Sequence, residues 1–235
     1  MVSSDDIRWL NAEFGAAMSN AISGTSLTVE FLAALACQES GEVWPSLRRQ
    51  ALAADDILAL CVGDTFDASG GRKAFPLNKA DLVAKPQGQA MFDLARQALV
   101  DVGKYIPAYG AVTVHPEKFC HAFGMFQRDI QFFLGEPNFF LQGTYKTFDG
   151  SLNQVMVELR AALATLKLDS SASLTDQQLI SVGIVYNAGH YDPALGMRQG
   201  FKSNDGTFYG EALYRYLLLA RNALASATPQ TPPAK

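Results

Sequence analysis

Cysteine, charge and long apolar runs are all scarce in this chain. Its 235 residues include three cysteines, Cys37, Cys61 and Cys120. They are too few and too scattered for a disulfide framework, have no CxxC spacing and leave at least one thiol unpaired, so buried free thiols are expected. The longest apolar run, Phe31 to Cys37, falls far short of the roughly 18 residues that cross a bilayer, and no membrane span is expected. The opening Met-Val-Ser-Ser-Asp-Asp-Ile-Arg lacks the basic and apolar regions of a signal peptide. Localisation is left open at this point: synthesis in the cytoplasm with action reached by another export route, or a leader already removed.

Charged residues make up only 18% of the chain and the net charge is −4. That balance provides no basic field from which counterions could be released, so nucleic acid is not an expected partner. HExxH, P-loop, GxGxxG and GxSxG signatures are missing, and so is any internal repeat. His115, Cys120, His121 and His190 are the residues from which a zinc site could be assembled, but their spacing matches no common ligand pattern. No metal or cofactor is expected.

What is present is apolar material: 49% hydrophobic residues suffice for one sizeable core. The expected organisation is a single domain over residues 1–227 and a short Pro-rich, disordered tail over 228–235. Apolar residues recur three or four apart from Asp5 to Ile22, with Ile7, Leu10, Phe14, Ala17 and Met18 on one face, which predicts a helix. From Val29 the chain is apolar on nearly all sides up to Glu39, with Thr28 as N-cap and Gly41 as stop, the pattern of a central buried helix. Further helices are expected over Arg48 to Leu60, Gly88 to Lys104, Leu152 to Leu166 and Glu211 to Ala225. Another opens at the capping box Thr175-x-x-Gln178. Val62 to Gly71 reads as a turn or surface loop, and strand-like segments such as Ala111 to Val114 are few. The fold class is therefore all-α, or α-dominated α+β.

Glu39 ends the buried helix. A carboxylate in an apolar setting is costly to keep charged, so its pKa rises and it holds a proton near neutral pH, as a general acid must. Taken alone, a helix-end Glu is more often a group turned to solvent or bonded to a neighbour such as Ser40. Its context alters that balance. Gln38-Glu39-Ser40, Ala122-Phe123-Gly124-Met125-Phe126-Gln127 and Val185-Tyr186-Asn187-Ala188-Gly189 follow in this order, the first and third at predicted helix C-termini.

With this ordered trio the chain resembles the soluble lytic transglycosylase and goose-type lysozyme superfamily, whose lysozyme-like fold carries a catalytic Glu-Ser on a buried helix, then a Gly-Leu-Met-Gln-like and an Ala-Tyr-Asn-x-Gly-like element. The resemblance implies that Glu39 is the acid, that Ser40 contacts substrate, and that Gly124, Met125 and Gln127 line a glycan groove, Gly124 letting backbone approach sugar. It also implies that Tyr186 orients the Glu39 carboxyl and that Asn187 contacts an N-acetyl group. Each has a plain alternative: Met125 and Phe126 as core, Tyr186 as a buried tyrosine, Asn187-Ala188-Gly189 as a helix C-cap. Phe126 stands where the family usually has Met, His190 where Pro or a small residue is common, and the stretch from Ser40 to Gly124 is unusually long.

Glycoside hydrolysis usually needs a second carboxylate. Asp64 and Asp67, in the Gly-flanked loop, lie broadly where goose-type lysozymes carry water-activating aspartates, and Asp64 is the first choice because Val62-Gly63 can bring its backbone near a cleft; Asp55 and Asp56 precede it on a predicted helix. Lytic transglycosylases dispense with that residue, and the sequence does not choose between the two outcomes. The expected partner is a β-1,4-linked N-acetylhexosamine polymer, peptidoglycan first and a neutral chitin-like oligosaccharide second. A silent glycan-binding module on the same fold is the alternative, and a cysteine nucleophile built from Cys37 or Cys120 with His121 and Asn187 comes third. Trp9, Trp44, Tyr191, Tyr209 and Tyr214 could stack on sugars, although core packing is the default for aromatics at helical spacing.

Overall fold

The computed structural model describes residues 1–63, 72–168 and 172–225. Asp64 and Asp67, the rest of the segment 64–71 and the tail 228–235 lie outside the described residues.

Helices dominate. In chain order they are α1 (Ser4–Ala21), α2 (Val29–Ser40), α3 (Trp44–Arg48), α4 (Ala54–Ala59), α5 (Lys79–Val83), α6 (Gly88–Gly103), α7 (Pro107–Val112), α8 (Pro137–Leu141), α9 (Phe148–Thr165), α10 (Asp176–Ala188) and α11 (Tyr209–Ala225). Among the described residues, three two-residue strands, β1 (Val62–Gly63), β2 (Ala122–Phe123) and β3 (Arg128–Asp129), form a small antiparallel sheet in that order. The α-dominated expectation therefore holds. Among the described residues no helix is long and apolar enough to cross a membrane.

Internal contacts divide the chain into two units, Met1–Gln38 with Met156–Lys235, and Glu39–Val155. In the first, Ser3 caps α1 by accepting from the Asp6 amide while the Asp6 carboxylate accepts from the Ser3 amide at 2.9 Å. Ile7, Leu10 and Met18 fill one fully buried face of α1, which packs on α11, and α11 packs on α10. Gly183 permits the second contact, since a Cβ there would stand 2.2 Å from Leu213 Cδ2. The capping box Thr175–Gln178 opens α10, and Gly189 closes it at φ 77°, a left-handed cap that glycine adopts without the clash a Cβ would cause. Thr28 caps α2 by accepting from the Phe31 amide at 3.2 Å. From Phe31 to Ala36 every residue of that helix is fully buried.

In the second unit two expectations are corrected. The stretch Arg48 to Leu60 is not one helix: α3 ends at Arg48, Ala51 turns at φ 58°, and α4 starts at Ala54. The strand-like Ala111 to Val114 is not a strand: Ala111 and Val112 end α7, whose first turn Pro107 supplies ready-made, Thr113 caps it and Val114 follows in a turn. α7 lies on α6 at a crossing without side chains, where a Cβ on Gly110 would come within 2.9 Å of the Gly103 carbonyl. Arg96 of α6 holds the following loop by donating to the carbonyls of Thr113, His115 and Lys118. The reading of Val62 to Gly71 as loop also gives way at its start, where Val62 and Gly63 pair with Phe123 and Ala122.

Candidate active site

The Gly124–Gln127 element is the turn of the β2–β3 hairpin, flanked by the pair Phe123 and Arg128. Gly124 sits at φ 81° and Gln127 at φ 53°, and the Gln127 amide donates to the Gly124 carbonyl at 3.0 Å. A Cβ on Gly124 would lie 2.2 Å from Ser151 Oγ, so glycine is required there by protein packing before any ligand is considered. Met125 is fully buried and Phe126 nearly so, with its ring against Phe148.

Glu39 and Ser40 form the last turn of α2. Ser40 is buried, and its hydroxyl donates to the Met125 carbonyl at 2.6 Å, which ties the end of the glutamate helix to the hairpin turn. The structure thus unites the first two elements of the sequence trio, while Ser40 and Met125 themselves are engaged in packing. Next to Glu39, the Gln38 Oε1 is buried and accepts no hydrogen bond among the described residues.

Gln127 is half-buried, and its side chain spans two strands: Nε2 donates to the Gly124 carbonyl at 2.8 Å and lies 3.5 Å from that of Cys61. Its other end faces β1. A Cβ on Gly63 would be 2.7 Å from Gln127 Oε1 and 3.0 Å from the hydroxyl oxygen of Tyr109, so both oxygens stand directly over this glycine. Tyr109, on α7, was not singled out from sequence. Its position follows from the Gly103–Gly110 crossing and from strand pairing, neither of which leaves a local signature.

In the other unit, Tyr186 and Asn187 occupy the last turn of α10. Tyr186 is half-buried and Asn187 exposed. The Asn187 Oδ1 accepts from the Phe201 amide at 2.9 Å, and Gly200, at φ 80°, leaves space for that oxygen. Asn187 therefore anchors the loop after α10.

Asp55 and Asp56 are exposed acids in the first turn of α4. Asp56 lines a cleft of about 440 Å³ together with Leu60, Leu94, Asp101, Lys104 and Tyr105, and Asp101 pairs there with Lys104 at 2.6 Å. The hydrogen bond to Asp101 raises the pKa of the exposed Lys104. None of the three cysteines forms a disulfide, and all three are buried. Burial first, and then the charge of Asp6, pushes the Cys37 thiol well above its ordinary range, the reverse of what a nucleophilic thiolate needs. His121 is buried edge-on to Phe119, and among the described residues no group of three or more His, Cys, Asp or Glu could hold a metal ion. Trp44 and Tyr209 are core residues, whereas Trp9, Tyr191 and Tyr214 are half-buried.

No family model matches the chain, and no curated protein or solved structure matches it either.

Proposed function

We propose that this chain is a lysozyme-like enzyme that cleaves β-1,4-linked N-acetylhexosamine polymers, peptidoglycan foremost, with Glu39 as the general acid. One observation carries the reading: the helix that ends in Glu39 is buried from Phe31 to Ala36, and Ser40, the next residue, is bonded to the Gly124–Gln127 turn. Glu39 is half-buried at the end of that helix, and a general acid must be oriented toward the leaving oxygen before it can protonate it. The contact joins Glu39-Ser40 to Gly-Met-Phe-Gln, two elements on which the resemblance rests.

In this reading Glu39 protonates the glycosidic oxygen while positive charge develops at the anomeric carbon. Either a water then completes hydrolysis, with Asp64 proposed as its activator, or Glu39 acts next as a base and the C6 hydroxyl of the substrate closes a 1,6-anhydro ring. The groove-lining roles that the resemblance assigns to Gly124, Met125 and Gln127, and those it assigns to Ser40, Tyr186 and Asn187, belong to the same proposal; of these, Gln127, Tyr186 and Asn187 are at least partly exposed, whereas Ser40, Gly124 and Met125 are buried and would act through the backbone they position. Mass spectrometry of products from purified peptidoglycan and from chitin oligomers tests it. Reducing ends identify a hydrolase and anhydro ends a transglycosylase. Intact polymers in both digests contradict the proposal and leave a glycan-binding module.

A further inference from the structure

We infer that the cleft between α4, α6 and the turn Thr144–Lys146 binds a free α-amino acid whose side chain ends in an oxygen acceptor. Asp56 takes its ammonium, Lys146 its carboxylate, and the Tyr145 hydroxyl the oxygen at the end of its side chain. The inference is independent of the proposed glycan function, which gives none of these residues a role.

Tyr145 is the group that points to a ligand. It is 1% exposed, its ring stands edge-on to Phe123 at 5.0 Å, and its carbonyl accepts from Ser151 Oγ at 3.0 Å. Its hydroxyl, by contrast, forms no hydrogen bond among the described residues, although Tyr145 lines the cleft. A buried donor left without an acceptor carries its desolvation penalty uncompensated, and Phe would fill the same core space without it. Burial first, and then the charges of Cys120 and Asp101, raise the pKa of the phenol, so it keeps its proton and remains a donor. Asp101 is itself part of the cleft wall.

At the rim, Asp101 is satisfied by Lys104 Nζ at 2.6 Å and Gln97 Nε2 at 3.0 Å. Asp56 and Lys146 are exposed and have no ion-pair partner among the described residues, even though α4 packs on the turn that carries Lys146. They stand too far apart to pair with each other. An ammonium beside a carboxylate bridges such a gap, the ammonium donating to Asp56 and the carboxylate accepting from Lys146. Leu60, Leu94 and Ala98 give the cleft half-buried aliphatic walls, and its volume of about 440 Å³ lies within the usual range of small-molecule sites. A side chain that passes between these walls and ends in an oxygen supplies the acceptor that Tyr145 lacks.

Calorimetry on the full chain tests this with two pairs, L-tyrosine against L-phenylalanine and L-glutamine against L-norleucine. In at least one pair the oxygen-bearing member is expected to bind about 3- to 10-fold more tightly, the worth of one neutral hydrogen bond. Tyr145→Phe removes only the unpartnered hydroxyl, so it is expected to fold normally and to lose that preference. Asp56→Asn and Lys146→Met are each expected to weaken binding of the preferred amino acid by about 2- to 5-fold, as suits exposed ion pairs. In the unaltered chain, saturation with that amino acid must shift the Tyr145 ring resonances, a readout that needs no variant to fold. Absence of binding by both L-tyrosine and L-glutamine, equal affinities within both pairs, a preference that survives in Tyr145→Phe, or unshifted Tyr145 resonances each overturns the assignment.

Discussion

Ser40 donates its hydroxyl proton to the carbonyl of Met125 across 85 positions of chain, at 2.6 Å and out of contact with water. The bond connects the last turn of α2 to the turn between β2 and β3. Ser40→Ala deletes the donor and strands a carbonyl, a loss of about 1–3 kcal/mol where the acceptor is buried. Urea unfolding of the two chains measures it. A variant as stable as the parent would mean that the hairpin turn is held by other contacts.

Gln38 predicts the opposite sign. Its Oε1 is buried without a hydrogen bond among the described residues, next to Glu39. An unsatisfied buried acceptor carries its full desolvation penalty. Gln38→Met keeps the unbranched shape and removes that oxygen, so stability is expected to rise by about 1 kcal/mol. A higher midpoint in urea, accompanied by lower turnover, would mark Gln38 as a residue kept for function; a lower midpoint contradicts the prediction.

Beyond α10, the loop depends on the carboxamide of Asn187. Its oxygen accepts from the Phe201 amide at 2.9 Å. Asn187→Ala should cost about 0.5–1.5 kcal/mol of local stability. Hydrogen exchange reads it directly: the Phe201 amide exchanges faster in the variant. Unchanged exchange would show that the loop is held elsewhere.

Farther along, the Asp205 carboxyl accepts from the Ser203 hydroxyl at 2.5 Å and the Thr207 amide at 2.9 Å. These hydrogen bonds, led by that of Ser203, lower its pKa from an ordinary 3.8 to about 2. A carboxyl depressed on folding stabilises fully above its unfolded value, and that contribution is lost as pH falls through the folded one. The loop should accordingly loosen between about pH 3.8 and 2. An NMR titration of Asp205 is expected to give a midpoint near the lower figure, moving upward in Ser203→Ala. Coincident midpoints in the two chains would contradict the assignment.

Local chemistry made much of the helical framework legible. Thr28 and the Thr175–Gln178 box announce helix starts because a side-chain oxygen within three residues satisfies an otherwise orphaned amide, and Gly189 announces an end because glycine takes the left-handed cap with the least strain. The place of Glu39 in the last turn of α2 was readable from the all-round apolar run before it. Pairing between distant segments was not readable. Val62-Gly63 looks like loop until Ala122-Phe123 is laid beside it, and Ala111-Val112 looks like strand until Pro107 sets the helix. Tyr109 meets Gln127 over Gly63 only after both of these events, so no window of sequence contains the relationship. Gly124 was read as letting backbone approach a sugar; the group that stands against it in this structure is Ser151.

The role of Glu39 stands or falls on one substitution. Glu39→Gln keeps the size and hydrogen-bonding reach of the side chain while removing the proton that a general acid delivers. On purified peptidoglycan, turnover by Glu39→Gln is expected to fall by about 10²- to 10⁴-fold relative to the unaltered chain, with the circular dichroism spectrum and glycan affinity preserved. Equal turnover in the two chains would contradict the assignment of Glu39 as the acid.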